Sequence, residues 1–163
     1  MEEKKGRAVG GLRSVSRFYA VQTIYRAMMV GCPISKIINE SQKHGEVIIS
    51  EDISVSEADF EFFRLLLETA EKHLESIDEA ISQNLSSNWK IDRLDSVMKS
   101  ILRLGAAELM YLDIPPNVVF NEYIEISKSF FEKSDVAFAN GLLNSILQKY
   151  PRGPGLFPGR TNE

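Results

Sequence analysis

The chain has 163 residues, 44 % of them hydrophobic and 26 % charged, with one cysteine and a formal net charge of -4. That length fits one folded domain burying roughly 70 % of the surface its unfolded form exposes, and the composition excludes a disordered or membrane-spanning chain. Cys32 alone cannot form an intramolecular disulfide, and there is neither a charged-then-apolar leader nor an apolar run of about 18 residues, so the expected compartment is a reducing cytoplasm.

The net charge hides an asymmetry. Residues 1–39 carry seven bases (Lys4, Lys5, Arg7, Arg13, Arg17, Arg26 and Lys36) against Glu2 and Glu3, a net of +5, whereas residues 40–79 carry 12 acids and 3 bases. A basic amino-terminal segment on an otherwise acidic chain is the footprint expected of a protein that meets a polyanion such as nucleic acid, although a solvated tail would read the same way on charge alone.

Apolar residues recur at helical spacing almost throughout, which predicts an all-α fold, a helical bundle of about six to seven helices. The first helix is expected to start near Ser14 or Ser16, with Phe18, Val21, Tyr25 and Met28 as its inward stripe, and to stop at Gly31-Cys32-Pro33. Ser35 to His44 predicts a short second helix stopped by Gly45, followed by a loop to Val55. Ser56 caps a long helix that runs to about Leu85 and bends or breaks midway, and Ser86-Ser87-Asn88 is a loop. Leu94 to Tyr111 forms the next helix. After Pro115-Pro116 another runs from Asn117 to Phe131, with Phe120, Tyr123, Ile124, Ser127 and Phe130 or Phe131 facing inward. The last starts at Ser134-Asp135 and buries Ala139, Leu142, Leu143, Ile146, Leu147 and Tyr150. The domain is therefore placed at residues 13–150, between a flexible basic segment, 1–12, and a tail, 151–163, whose three prolines and three glycines predict disorder.

No catalytic constellation is legible. His44 and His73 lie on different predicted helices without metal-ligand spacing, Cys32 sits at a helix stop without a base, and the glycines at 6, 10 and 11 precede no phosphate loop. Glu108, Glu122 and Glu125 are read as capping, pairing or solvated carboxylates. The Asn-X-Ser tripeptides at Asn39 and Asn84 are read as chance matches in a chain without an export signal. The expected reading is a binding protein rather than an enzyme, with no cofactor, metal, membrane or small-molecule substrate. Gly141, inside a strongly periodic helix, costs about 1 kcal/mol relative to alanine and calls for close approach by a neighbouring helix or by a partner's backbone.

Three segments resemble one family. Ala20-Val21-Gln22-Thr23-Ile24-Tyr25 resembles the first-helix signature of NusB proteins, Leu94 to Leu109 (LDSVMKSILRLGAAEL) their fourth-helix pattern, and Pro115 with Asn121 to Phe130 (NEYIEISKSF) the fifth; Phe138 to Leu143 (FANGLL) completes the set. The resemblance spans about residues 13–150. It implies two packed helical sub-bundles and a transcription antitermination factor that binds boxA RNA in leader and ribosomal RNA transcripts. The implied partners are the ribosomal protein NusE and, in the larger complex, NusA, NusG and RNA polymerase.

Carried over residue by residue, the resemblance implies RNA contacts from Arg13 and Arg17, reinforced by Lys4, Lys5 and Arg7, with Phe130 near the RNA path. It implies NusE contacts from Tyr25, Met98, Ser134, Asp135 and Phe138. Arg13 and Arg17 stand four residues apart, so a helix that includes both puts them on one face, where two solvent-facing guanidinium groups could grip successive phosphates. Relatives carry a denser arginine cluster before this helix, where glycine, valine and serine stand here. RNA binding is therefore expected of the NusB:NusE pair, the alternative being an adaptor of the same fold without independent RNA recognition.

Overall fold

The computed structural model describes residues 11–41, 48–50, 53–54 and 60–150. They form an all-α fold of seven α-helices: α1 (Gly11–Val30), α2 (Ile34–Ser41), α3 (Phe60–Lys72), α4 (Leu74–Gln83), α5 (Ser96–Tyr111), α6 (Pro116–Phe130) and α7 (Lys133–Lys149). Two short antiparallel strands, β1 (Ile48–Ser50) and β2 (Ile53–Ser54), stand where the sequence predicts loop. Their β-branched isoleucines favour extended backbone. The flexible segment expected over 1–12 lies outside the described residues apart from Gly11 and Leu12. The Gly45 stop, the Ser56 cap and the tail expected from Pro151 onward lie outside them altogether.

Two compact units divide the chain between Glu68 and Thr69, inside α3. In the first unit α1 runs to Gly31, whose φ of +78° is accessible to glycine at little cost and lets the amides of Gly31 and Cys32 donate to the Ala27 carbonyl at 2.8 and 3.2 Å. The core of this unit is Ala20, Val21, Ile24 and Ala27 of α1 with Ile37, Ile38, Phe62, Phe63, Leu66 and Leu67. The inward stripe of α1 thus differs from the expected one. Of Phe18, Val21, Tyr25 and Met28 only Val21 is buried, and Tyr25 is exposed. The small residues Ala20 and Ala27 let neighbouring elements approach that face closely, whereas the larger side chains stand on the other.

The second unit is organised around α5, which touches α4, α6 and α7. Asp95 caps it by accepting from the amides of Val97 and Met98 at 2.8 and 3.1 Å. Nearly every residue from Met98 to Met110 is buried. The close approach sought at Gly141 occurs at Gly105 instead: a Cβ there would lie 2.9 Å from Leu143 Cδ1, whereas one on exposed Gly141 would meet nothing within 4 Å. Polar ties fix the neighbours of α5. Arg103 donates twice to Asp78 of α4, Nε to Oδ1 and Nη2 to Oδ2, both at 2.8 Å. Tyr123 of α6 donates its hydroxyl to Oε2 of the fully buried Glu108 at 2.6 Å.

The long helix expected from Ser56 to Leu85 breaks at His73, between α3 and α4. Its ring stacks on Tyr111 at 3.8 Å between centroids, its carbonyl accepts from Ser76 Oγ, and Ser76 Oγ and Tyr111 Oη lie 2.6 Å apart. Burial, and after it the charge of Lys72, hold the His73 imidazole below its ordinary pKa.

In α6 the buried residues are Val119, Tyr123, Ile126 and Ser127, so the inward face is rotated from the expected one and Phe130 is exposed. Pro116 occupies the first turn of α6, where its missing amide costs nothing. In α7 Ala139, Leu142, Leu143 and Ile146 are buried as the spacing predicts, with Leu147 and Tyr150 half-buried. Because Glu108 is buried, the loss of one donor is not made up by water. Tyr123→Phe is expected to lower unfolding stability by about 1–3 kcal/mol, read as a lower urea midpoint at unchanged m. An unchanged midpoint would show that the Tyr123 hydroxyl contributes nothing to the tie.

Candidate nucleic-acid and partner interface

Arg13 and Arg17 do share one helix face, but they do not reach solvent equally. Both guanidinium groups lie over the Phe62 ring, Arg13 at 4.4 Å and Arg17 at 4.9 Å from its centroid. Arg13 is exposed; Arg17 is 2 % exposed, against the expectation that both face water. Arg17 is one turn from Ala20 and Val21 on the core side of α1, and the face of Phe62, from another helix, stabilises a cation withdrawn from water. Of this pair Arg13 is the guanidinium at the surface, while Arg17 packs on Phe62 at the core side of α1. Lys4, Lys5 and Arg7 lie outside the described residues.

The opposite side of α1 carries a mainly apolar stripe, of which sequence reasoning assigned Phe18 and Tyr25 to the core. Val15, Tyr25 and Met29 are exposed and Phe18 and Gln22 half-buried, at positions 15, 18, 22, 25 and 29, a spacing of alternating three and four residues that lines one side of a helix. Met29 is 54 % and Val30 65 % exposed.

In the second unit, four expected site residues gather at the turn from α6 to α7. Phe130 is 40 % exposed at the end of α6, its ring 6.4 Å from that of Phe131; Ser134 and Asp135 are exposed in the first turn of α7, and Phe138 is half-buried one turn further on. Beside them is a largely apolar groove of about 700 Å³, lined among others by Ile124, Phe131, Val136 and the lysines Lys128 and Lys133. Gly141, with open space about its Cα, continues the exposed face of α7 past Phe138. Met98 does not join this group: it is 4 % exposed, a core residue of α5 without surface to offer a partner. Among the described residues no group of three or more His, Cys, Asp or Glu side chains could hold a metal ion, and no helix is long and apolar enough to cross a membrane. Cys32 is a half-buried free thiol.

The NusB family model matches residues 14–148, which include both clusters. The chain belongs to the NusB family. NusB transcription antitermination proteins of Caulobacter vibrioides and Sphingopyxis alaskensis are similar to it, 40 % identical over 137 residues (83 % of this chain, 92 % of that protein) and 38 % identical over 135 (82 % and 91 %). Among solved structures, a crystal structure of the antitermination factors NusB and NusE in complex with double-stranded RNA matches at 30 % identity and a TM-score of 0.66, covering 85 % of this chain and 98 % of that one. The NusB resemblance inferred from the three helix motifs is thus correct.

The two arginines of α1 should behave differently on truncation. Arg17→Ala is expected to cost about 2 kcal/mol, the scale of a desolvated cation–π contact, and Arg13→Ala about 0.5–1 kcal/mol. Equal losses in chemical denaturation would contradict the division of roles.

Proposed function

We propose that this NusB-family chain acts in transcription antitermination by binding boxA-type RNA together with NusE, notably on ribosomal RNA transcripts, and that it works in the cytoplasm within an assembly that includes NusA, NusG and RNA polymerase. The observation that carries the reading is the likeness, over 85 % of this chain, to a protein solved in complex with NusE and RNA. The chain's own chemistry agrees with it. Its excess of bases is confined to the amino-terminal 39 residues, and Arg13 presents a guanidinium at the start of α1. Phe130 offers an exposed ring on which an unpaired base can stack.

For NusE the stripe of Val15, Tyr25 and Met29 supplies aromatic and aliphatic anchors of the kind that dominate protein interfaces, and Ser134, Asp135 and Phe138 supply a mixed polar and aromatic patch. In this reading the chain performs no chemistry and works by placing RNA and protein side by side. One observation favours the second reading, an adaptor without independent RNA recognition: Arg17 is buried, which leaves α1 one cation fewer for phosphate.

Salt dependence separates the two. If Lys4, Lys5, Arg7 and Arg13 each neutralise one phosphate of single-stranded RNA, the log–log slope of affinity against salt for the NusE-bound protein is about -3. Removal of residues 1–12 leaves Arg13 and reduces it to about -1. A slope that the deletion leaves unchanged would assign RNA binding to NusE and this chain to the adaptor role.

A further inference from the structure

The only tryptophan of the chain lies outside both clusters. Trp89 follows the polar run Ser86-Ser87-Asn88 between α4 and a 3-10 turn, Ile91–Arg93, and it is 43 % exposed. The guanidinium of Arg93 lies over its ring, 5.5 Å from the centroid, and Lys90 beside it is exposed. Among the described residues neither Lys90 nor Arg93 takes part in an ion pair. The neighbouring acids are Asp95, whose Oδ1 is committed to capping α5, and exposed Asp92.

Backbone turn hydrogen bonds order the segment. The Trp89 amide donates to the Ser86 carbonyl at 2.9 Å, those of Arg93 and Leu94 donate to Lys90 and Ile91 at 2.9 and 3.1 Å, and Leu94 is buried. A large exposed indole on an ordered backbone turn, with a guanidinium over its ring and a second exposed cation beside it, is suited to receive a base and a phosphate. Along the chain it is flanked by Ser86, Ser87, Asn88 and Lys90, with Ile91 half-buried, so the exposed residues next to it in sequence are polar.

We propose that Trp89, Lys90 and Arg93 form a further contact for single-stranded RNA, in which one unpaired base stacks on the indole or on the guanidinium plane of Arg93 while Lys90 neutralises an adjacent phosphate. The contact is tolerant of base identity, because every base has a stacking face, and it lengthens the RNA footprint beyond the residues assigned above. The inference rests on the RNA-binding reading of the preceding subsection.

Because Trp89 is the only tryptophan, its emission reports on this site alone within the chain. The test titrates the full chain, bound to NusE, with a boxA oligoribonucleotide extended by unpaired nucleotides at either end, following tryptophan emission and, in parallel, the anisotropy of a dye on the RNA. Saturable quenching with the midpoint of the anisotropy curve is expected. Trp89→Ala is expected to weaken binding roughly five-fold or more, Trp89→Phe to retain most of the affinity, and Lys90→Glu with Arg93→Glu to weaken it with unchanged circular dichroism. Binding seen by anisotropy with no change in emission and with wild-type affinity for Trp89→Ala overturns the inference and leaves the parent reading intact. Quenching by NusE alone, with no further change on adding RNA, overturns it in favour of a protein contact. No binding by anisotropy removes both readings.

Discussion

A carboxylate with no exposed surface, Glu108, is held in the second unit by the hydroxyl of Tyr123, and the helices that carry the candidate site depend on that arrangement. A buried polar group that loses a hydrogen bond costs more than the bond contributes, so this tie adds a directional constraint between α5 and α6 to their apolar packing. On the same helix Gly105 lets Leu143 of α7 approach to a distance that a side chain would contest. A bidentate Arg103–Asp78 pair ties α4. With three neighbours set against one buried helix, the turn from α6 to α7 is a fixed platform, and Phe130, Ser134, Asp135 and Phe138 stand together on it.

In the first unit the organising contact is electrostatic in another way. Phe62 takes two guanidinium groups over its ring, one withdrawn from water and one at the surface. The arrangement turns a four-residue spacing into two different environments, with Arg17 buried against the core side of α1 and Arg13 at the surface. The helix has a second, mainly apolar side on which Val15, Tyr25 and Met29 are exposed and Phe18 and Gln22 half-buried.

That second side explains most of what sequence reading missed. On α7 large apolar residues occupy one stripe, so Leu142, Leu143 and Ile146 were legible as core. Helix α1 is apolar on two sides, and a reading weighted to large residues selects Phe18 and Tyr25 over Ala20 and Ala27. Periodicity finds both stripes and cannot say which is inside, since that depends on what packs there. The same limit applied to the end of α6, where Phe130 or Phe131 was expected inward and Phe130 is exposed with Phe131 half-buried, and to Arg17, which lies against Phe62, 45 residues further along the chain. Gly141 drew notice because a glycine in a helix is anomalous by itself. Gly105 is the one in close contact, and only the position of Leu143 shows it. The family and an all-α architecture of about six to seven helices were legible because they rest on local patterns: helix motifs, prolines at Pro115 and Pro116, and the spacing along α7.

The central claim is that the outer stripe of α1 is a docking surface for NusE rather than part of the protein's own core. Calorimetric titration of NusE into the wild type and into the Tyr25→Asp and Met29→Asp variants tests it most directly. Both positions are exposed, so each variant is predicted to keep its helicity and melting temperature while losing affinity at least ten-fold, the scale of an interface anchor. Wild-type affinity in both variants, or unfolding of both, would contradict the account.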